Sequence, residues 1–352
     1  MPISTGASTH SWHPVMSADT TEPRYWWNWR FFLCAIWVLV SMIAASILIW
    51  KYEGHDGERS QRGAENQRSP VGTLYADETW RPCLKQLHPA WLLAFRVLAF
   101  SLLSALLAIY VVVDGRGVFY YYTHDIYIYA SYLPWDIFQL GSLLSVYGCY
   151  QYVNKVGGAK VNHTRLDHEQ GECIAHTDVG NSNARSMKKC SVSQEEHCDR
   201  EIAGFWGYLF QIIYQTNAGA VMLTDCVFWL VLFPFLTMKK YDLNFFLVGM
   251  HSVNAVFLLA DTFLNQLRFP WFRISYFLLW TSIYVIFQWI VHACVPVWWP
   301  YPFLDLSSNH APLWYLLLAV LHAPCYAIFS FVIKLKHFLL SKWFPQSYQC
   351  LK

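Results

Sequence analysis

Charged residues are scarce in this sequence of 352 residues. Asp, Glu, Lys and Arg make up 14% of the chain, and hydrophobic residues make up 55%. A soluble domain of ordinary composition contains about 25% charged residues. The sequence also contains several runs of about 20 apolar residues, which a single soluble core does not need. The scarcity of charge therefore indicates a membrane protein.

Motifs of the common soluble enzyme classes are also missing. The sequence contains no G-x-S-x-G, no phosphate-binding glycine-rich loop and no H-E-x-x-H. Its ten cysteines lack the paired spacing of zinc ligands, and five of them fall in segments expected to be cytoplasmic, where thiols stay reduced. No stripe of basic residues suggests nucleic acid. We therefore expect no metal, no cofactor, no disulfide framework and no nucleic-acid partner.

What the sequence does contain is a series of apolar runs separated by polar segments. A helix needs about 20 apolar residues to cross the hydrocarbon core of a bilayer. The fourth run is the longest and is expected to tilt or to protrude. We predict an all-α, polytopic membrane helix bundle of about seven transmembrane helices, over roughly residues 31–50, 90–113, 135–153, 205–235, 243–267, 271–294 and 314–338.

Lys and Arg are distributed unevenly between the segments that join these runs. With the N-terminus outside, nineteen of the 25 fall on the inner side, five fall on the outer side, and Arg96 lies within a run. Cytoplasmic segments carry the excess of positive charge. We therefore expect an outside or lumenal N-terminus and a cytoplasmic C-terminus, in either the plasma membrane or the endoplasmic reticulum.

The same pattern divides the chain into segments. No cleavable signal sequence is recognisable near the start, so the first run is expected to be a retained signal-anchor. Residues 1–26 and the loop 155–203 are expected to be disordered, and residues 52–80 to be solvated. The expected organisation is an outer polar tail (1–30), a first helix (31–50), a cytoplasmic loop (51–89), a six-helix membrane domain (90–340) that includes the cytoplasmic loop 155–203, and a cytoplasmic tail (341–352).

Ionisable side chains interrupt the fifth run, FLVGMHSVNAVFLLADTFLN. At about 100° per residue, His251, Asn254, Asp261 and Asn265 fall on one helical stripe about 80° wide. Hydrocarbon penalises such groups, so the stripe should face the bundle interior or a wet cavity. An intramembrane ionisable residue is a functional candidate, and an interhelical hydrogen bond is its structural alternative.

Other runs offer partners for this histidine. Counting along helices of alternating direction places Thr123, Asp225 and His292 at the outer level of His251, with Asp261 deeper. These side chains can form one cluster, or each can serve as a packing group between helices. The seventh run adds His322, for which the sequence suggests no partner.

Three segments make the chain similar to a known family. They are WGYLFQIIYQTNAGAVMLTDCVFW, GMHSVNAVFLLADTFLNQLRFPWF and YVIFQWIVHACVPVWWPYPFLDL. Over roughly residues 90–340 the chain resembles the rolling-stone-like multipass membrane proteins, in particular their plant relatives. More distantly, it resembles the androgen-induced-gene family of membrane hydrolases.

The resemblance to the hydrolases implies a reaction and its residues. Those proteins are thought to cleave lipid esters of hydroxy fatty acids, with an intramembrane Thr as nucleophile and a His as base. The histidine of their G-M-H-T motif corresponds to His251, and the acid and proline that follow it correspond to Asp261 and Pro270. The first histidine of their V-H-H-V segment corresponds to His292, and their nucleophile to Thr123.

The chain departs from the family directly after Thr123. It reads HDIYIYASYLPW, where the family continues with an aromatic, Thr-rich apolar stretch, and the family pattern resumes at LGSLLSVYGCYQ. Asp125 and Pro134 interrupt the apolar run. Residues 124–140 are either a natural variant or the product of a local shift in reading frame, and the assignment of Thr123 depends on which.

The resulting hypothesis is an intramembrane, threonine-dependent hydrolase of lipid esters. His251 would be the base and Thr123 the nucleophile. The remaining polar candidates would line the pocket or orient the base: Asp225, Asn254, Asp261 and His292. The partners would be membrane lipids that carry a fatty-acyl ester, and a homo-oligomer is left open. The alternative is a non-enzymatic transporter, or an adhesion or signalling factor of the rolling-stone type.

The predicted orientation can be tested at the sequon Asn162-His163-Thr164, which lies in a loop expected to be cytoplasmic. We expect Asn162 to carry no glycan in eukaryotic cells, because glycans are added on the other side of the membrane. Glycosidase treatment should therefore leave the electrophoretic mobility of the protein unchanged. A sequon added to the N-terminus should be glycosylated, and a glycan on Asn162 would overturn the orientation.

Overall fold

The structure of the protein, a computed structural model, describes residues 19–53, 72–114, 141–157, 202–237, 252–296, 299 and 301–348. These residues form helices joined by turns, and none of them belongs to a β-strand, apart from isolated bridges. The longer helices are α1 (Trp29–Tyr52), α2 (Pro89–Asp114), α3 (141–157), α4 (Phe205–Val227), α5 (Val253–Leu264), α6 (Ile274–Cys294) and α7 (Ala311–Trp343). Shorter elements are the helices Pro23–Trp26 and Ala76–Trp80, the π-helix Phe228–Thr237 and the 3-10 turns Trp271–Arg273 and Pro302–Leu304.

Four stretches within these residues are long and apolar enough to cross a membrane. They are α1, Pro89–Leu106 of α2, Trp271–Cys294 and α7. Many of their large apolar side chains face away from the bundle, and Ile43 and Phe331 are each more than half exposed. An exterior of this kind is typical of a surface that contacts lipid. The predicted all-α fold is confirmed, and the four apolar helices are consistent with a membrane protein.

The predicted count of seven spans is not established by the described residues. Helix α5 has 12 residues, fewer than the about 20 that a crossing needs. Helix α4 is long enough, but Gln211, Gln215 and Asn217 lower its hydropathy. The number of spans and the orientation of the termini therefore stay predictions.

Contacts at the two ends of the bundle show that α1 and α6 run in opposite directions. At one end, Arg273 Nε donates to Glu53 Oε1 at 3.1 Å, which joins the start of α6 to the end of α1. At the other end, Tyr25 Oη donates to Asp305 Oδ1 at 2.6 Å, which joins the segment before α1 to the connection between α6 and α7. We call these the Arg273 end and the Tyr25 end.

Helix α4 is the centre of the bundle. Fourteen of its 23 residues are buried. It packs against α5, α6 and α7 and contributes to both hydrophobic clusters of the core. Gln211 and Gln215 each donate from Nε2 to the Arg268 carbonyl, at 2.8 and 3.0 Å. A helix enclosed on most sides meets little lipid, so its polar side chains need only find partners within the protein.

A buried ion pair holds α2 to α5. Arg96 is 3% exposed and Asp261 is 14% exposed. The guanidinium donates to both carboxylate oxygens, from Nε at 2.8 Å and from Nη2 at 3.2 Å. Arg96 Nη1 also lies 2.9 Å from Cys149 Sγ on α3. Two charges in a bundle core are tolerated only when they are paired in this way, because each alone carries a large desolvation cost.

The segment before α2 packs against the Arg273 end. Cys83 donates from its backbone N–H to the Leu264 carbonyl at 3.0 Å and from Sγ to the Asn265 carbonyl at 2.7 Å. Glu78 is buried and accepts from Arg268 Nη2 at 2.7 Å. The prediction that residues 52–80 are solvated is therefore wrong for 72–80, because this stretch caps the helix ends of the bundle.

Residues that precede α1 are ordered by contacts at the Tyr25 end. Besides donating to Asp305, the Tyr25 hydroxyl accepts from Trp299 Nε1 at 3.2 Å and from the Leu306 backbone N–H at 3.0 Å. Burial, together with the neighbouring Asp305 carboxylate, raises the pKa of Tyr25 well above its ordinary value, so the phenol stays a donor. The prediction of a disordered tail over residues 1–26 is therefore wrong for 19–26.

The buried ion pair gives a stability prediction. We expect Asp261→Leu to lower the free energy of unfolding by about 3–5 kcal/mol, because the Arg96 guanidinium is left buried without its carboxylate. Replacing both residues with Leu should recover much of that loss. The thermal midpoint of the protein in detergent measures both effects. Lys342→Leu, at an exposed position of α7, serves as the control; an unchanged midpoint in Asp261→Leu would contradict the pairing.

Candidate functional site

Two of the residues predicted from the sequence to carry catalysis, Thr123 and His251, lie outside the described residues. The other four predicted site residues, Asp225, Asn254, Asp261 and His292, lie within them. The structure places these four in different surroundings, and no hydrogen bond or ion pair joins any two of them among the described residues.

The described part of the polar stripe, from Asn254 to Asn265, faces the protein interior. Asn254, Leu258 and Asn265 are all buried, whereas Val256 on the other face is 63% exposed. Asp261 on this stripe is engaged by Arg96, and both line a cavity of about 490 Å³ between α2, α3, α4 and α5. The carboxylate therefore serves first as the partner of a buried arginine.

His292 belongs to a packed network at the Tyr25 end. The side chain is fully buried, and Nδ1 lies 2.7 Å from the Gln288 carbonyl, one turn earlier on α6. Its ring stacks on Trp299 with 3.7 Å between ring centroids, and the Trp299 indole donates to Tyr25. These contacts connect α6 to the segment before α1.

Asp225 has no hydrogen-bond or ion-pair partner among the described residues. It lies one turn beyond Val221, which packs in the same cluster as Leu258 of α5. Helices α4 and α5 run antiparallel, since Tyr214 contacts Thr262 farther toward the Arg273 end. Asp225 therefore lies near the level at which α5 begins.

A cavity separates α1, α4, α6 and α7. It encloses about 870 Å³ of atom-free space, part of it open to the surroundings. The lining is mainly apolar and aromatic; α1 contributes Trp37, α4 contributes Leu223, and the turn at the Tyr25 end contributes Tyr301 and Phe303. Ligand pockets in proteins have apolar walls with a few polar groups, and the lining of this cavity has that composition.

Two of the polar groups in the cavity wall are hydrogen-bonded to each other. Thr281 Oγ1 of α6 lies 2.7 Å from His322 Nε2 of α7. His322 Nδ1 lies 2.6 Å from the Leu318 carbonyl. A carbonyl oxygen only accepts, so Nδ1 carries the proton of the neutral ring and Nε2 is the acceptor. The threonine hydroxyl therefore donates to the histidine.

Close packing of α6 against α4 supports the ring of His322. Phe277 of α6 packs against it, with 4.4 Å between ring centroids. Phe277 in turn lies against Gly219 of α4, where an added Cβ would come 2.6 Å from Phe277 Cδ1. A glycine is required at this position because no side chain fits between the two helices.

The side chains of the cavity limit the chemistry that it can perform. Three further aliphatic hydroxyl groups line it, those of Ser41, Thr224 and Ser282, together with three tyrosines. No group of three or more His, Cys, Asp or Glu side chains is placed to hold a metal ion in the part of the chain that the structure describes. The arrangement is suited to holding an apolar chain and to proton transfer between a hydroxyl and an imidazole.

The threonine–histidine pair was missed by the sequence interpretation, which noted His322 without a partner and did not consider Thr281. The positions of the two residues along their helices could have predicted the pair. Thr281 lies thirteen residues before the end of α6, and His322 lies eleven residues after the start of α7. In two consecutive antiparallel helices, positions equally far from the connection lie at about the same level.

No known protein family, curated protein or solved structure matches the chain. The resemblance to the rolling-stone-like proteins, and through them to the membrane hydrolases, therefore rests on the sequence motifs alone and stays a prediction.

The support behind His322 can be tested at Gly219. We expect Gly219→Ala to destabilise the protein by about 1–3 kcal/mol, because the new methyl group overpacks against Phe277. The matched control is Gly157→Ala on α3, where an added Cβ meets nothing within 4 Å. Thermal midpoints in detergent should fall for the first variant only. An equal or higher midpoint in Gly219→Ala would show that Phe277 can move aside.

Proposed function

We propose that the protein is a multi-pass membrane enzyme that takes a lipid acyl chain into the cavity between α1, α4, α6 and α7 and cleaves an ester bond of that lipid. The observation that carries the proposal is the mainly apolar cavity with a hydrogen-bonded threonine and histidine in its wall. The class of substrate is a fatty-acyl ester.

The polar groups of the wall, and not its apolar area, would select the ligand. Lipid tails around the protein are as apolar as the cavity lining, so an acyl chain gains little on moving from one to the other. A hydrogen bond to an ester carbonyl is different, because lipid tails offer no donor. Thr224 is suited to this role, since its buried hydroxyl lines the cavity and has no hydrogen-bond partner among the described residues.

Ester cleavage is also supported by the sequence resemblance, which assigns the base to His251 and the nucleophile to Thr123. Both lie outside the described residues. Within the described residues, Asp225 and Asn254 are the candidates to orient this histidine.

The activity is tested with the purified protein in detergent and a series of long-chain fatty-acyl esters. We expect the parent protein to release fatty acid, and Ala319→Phe to reduce the rate at least about tenfold, because the new ring fills the cavity. Val320→Phe is the control, since Val320 is the next residue of α7 and is 61% exposed. Released fatty acid is quantified by mass spectrometry.

The outcomes separate the candidate functions. A parent protein that cleaves none of the esters would overturn the proposal, whether or not it retains an acyl lipid on purification. Uptake of a solute into proteoliposomes without cleavage would favour the transporter. His251→Ala and Thr123→Ala, assayed alongside, show whether the residues assigned by resemblance contribute.

A further inference from the structure

We infer that Thr281 is an acyl-accepting nucleophile and that His322 is the base that activates it. This inference rests on the proposed function in one respect, that a fatty-acyl ester enters the cavity. It names catalytic residues other than those assigned by the sequence resemblance, and both of them lie in the wall of the cavity.

The first support is the direction of the hydrogen bond. A threonine hydroxyl is a weak nucleophile until a base removes its proton. The Leu318 carbonyl fixes the proton of His322 on Nδ1, so the lone pair of Nε2 is directed at Thr281 Oγ1, 2.7 Å away. The same hydroxyl lies 3.1 Å from the Phe277 carbonyl of its own helix. Both the imidazole nitrogen and this carbonyl are acceptors for the hydroxyl proton, and the contact with the imidazole is shorter than the contact with the Phe277 carbonyl.

The second support is the way in which the imidazole is positioned. In a Ser-His-Asp triad a carboxylate holds the histidine by its Nδ1 proton. Here the Leu318 carbonyl takes that place at 2.6 Å, and Phe277 packs against the ring. His322 is 2% exposed, so the ring has little freedom to turn away from Thr281.

The proposed reaction has two balanced steps. Thr281 Oγ bonds to the ester carbonyl carbon while its proton passes to His322 Nε2; the ester C–O bond then breaks, and the alcohol leaves with that proton. Water next attacks the acyl-threonine, giving its hydroxide to the acyl carbon and its proton, through Nε2, to the threonine oxygen. A fatty acid is released and both side chains return to their starting state. The Thr224 hydroxyl is available to donate to the carbonyl oxygen as charge develops on it.

A covalent probe tests the inference without relying on turnover. A long-chain fluorophosphonate reacts with an activated hydroxyl, forming an oxygen–phosphorus bond and releasing fluoride. We expect the parent protein to be labelled on Thr281, as located by peptide mass spectrometry. His322→Gln should slow the labelling and the cleavage of esters by about 100-fold or more, the size of a general-base contribution.

Matched variants separate chemistry from packing. Thr281→Val keeps the shape of the side chain and should lose labelling at this position, whereas Thr281→Ser should keep it. His337→Gln is the control for the histidine, because His337 lies on the same helix, binds the Tyr348 hydroxyl through Nδ1 at 2.7 Å and does not line the cavity. Ser46→Ala is the control for the hydroxyl, since Ser46 Oγ bonds only the Met42 carbonyl of its own helix.

Each result decides the inference. Ester cleavage that persists in folded Thr281→Val and His322→Gln would overturn it and leave the proposed function in place. A parent protein that is labelled on Thr281 but cleaves no ester would support the reactive pair and overturn the proposed function. A parent protein with no label on Thr281 would overturn the inference, whether or not esters are cleaved.

Discussion

Polar side chains enclosed in this bundle must find their partners within the protein, and the arrangement of the helices depends on that requirement. Helix α4 is surrounded by its neighbours and carries Gln211 and Gln215, which are satisfied by the Arg268 carbonyl of the turn after α5. Arg273 donates to Gln211 as well as to Glu53 at the end of α1. Each of these contacts joins one helix to the end of another, so they fix where the helices lie relative to α4.

The need for internal partners also explains which features of the polar residues can be predicted from the sequence and which cannot. The inward stripe on α5 follows from a period of about 100° per residue, and the burial of Asn254 and Asn265 agrees with it. The partner of Asp261 could not be predicted in this way, because Arg96 is 165 positions away in the chain. Periodicity shows which face of a helix is polar, but it does not identify the side chain opposite that face.

Order near the chain start was mispredicted for a related reason. Composition suggests disorder for residues 1–26, yet Tyr25 is fixed by Asp305, 280 positions later. Thr281 and His322 were within reach of prediction, because they lie on two consecutive helices and at the same level. The G-M-H motif points to His251, whereas the pairing of Thr281 with His322 depends on helix geometry alone.

The contacts of α1 have a consequence for the order of events during synthesis. Its two ends are tied to Asp305 and Arg273, which lie 280 and 220 positions after their partners. At about 5–20 residues per second, the ribosome needs roughly a quarter of a minute to a minute to produce the later partner. The first helix is therefore made well before the residues that hold its two ends. Little of its surface depends on docking, since only Cys34, Val38 and Ala45 among its 24 residues become buried in the finished bundle.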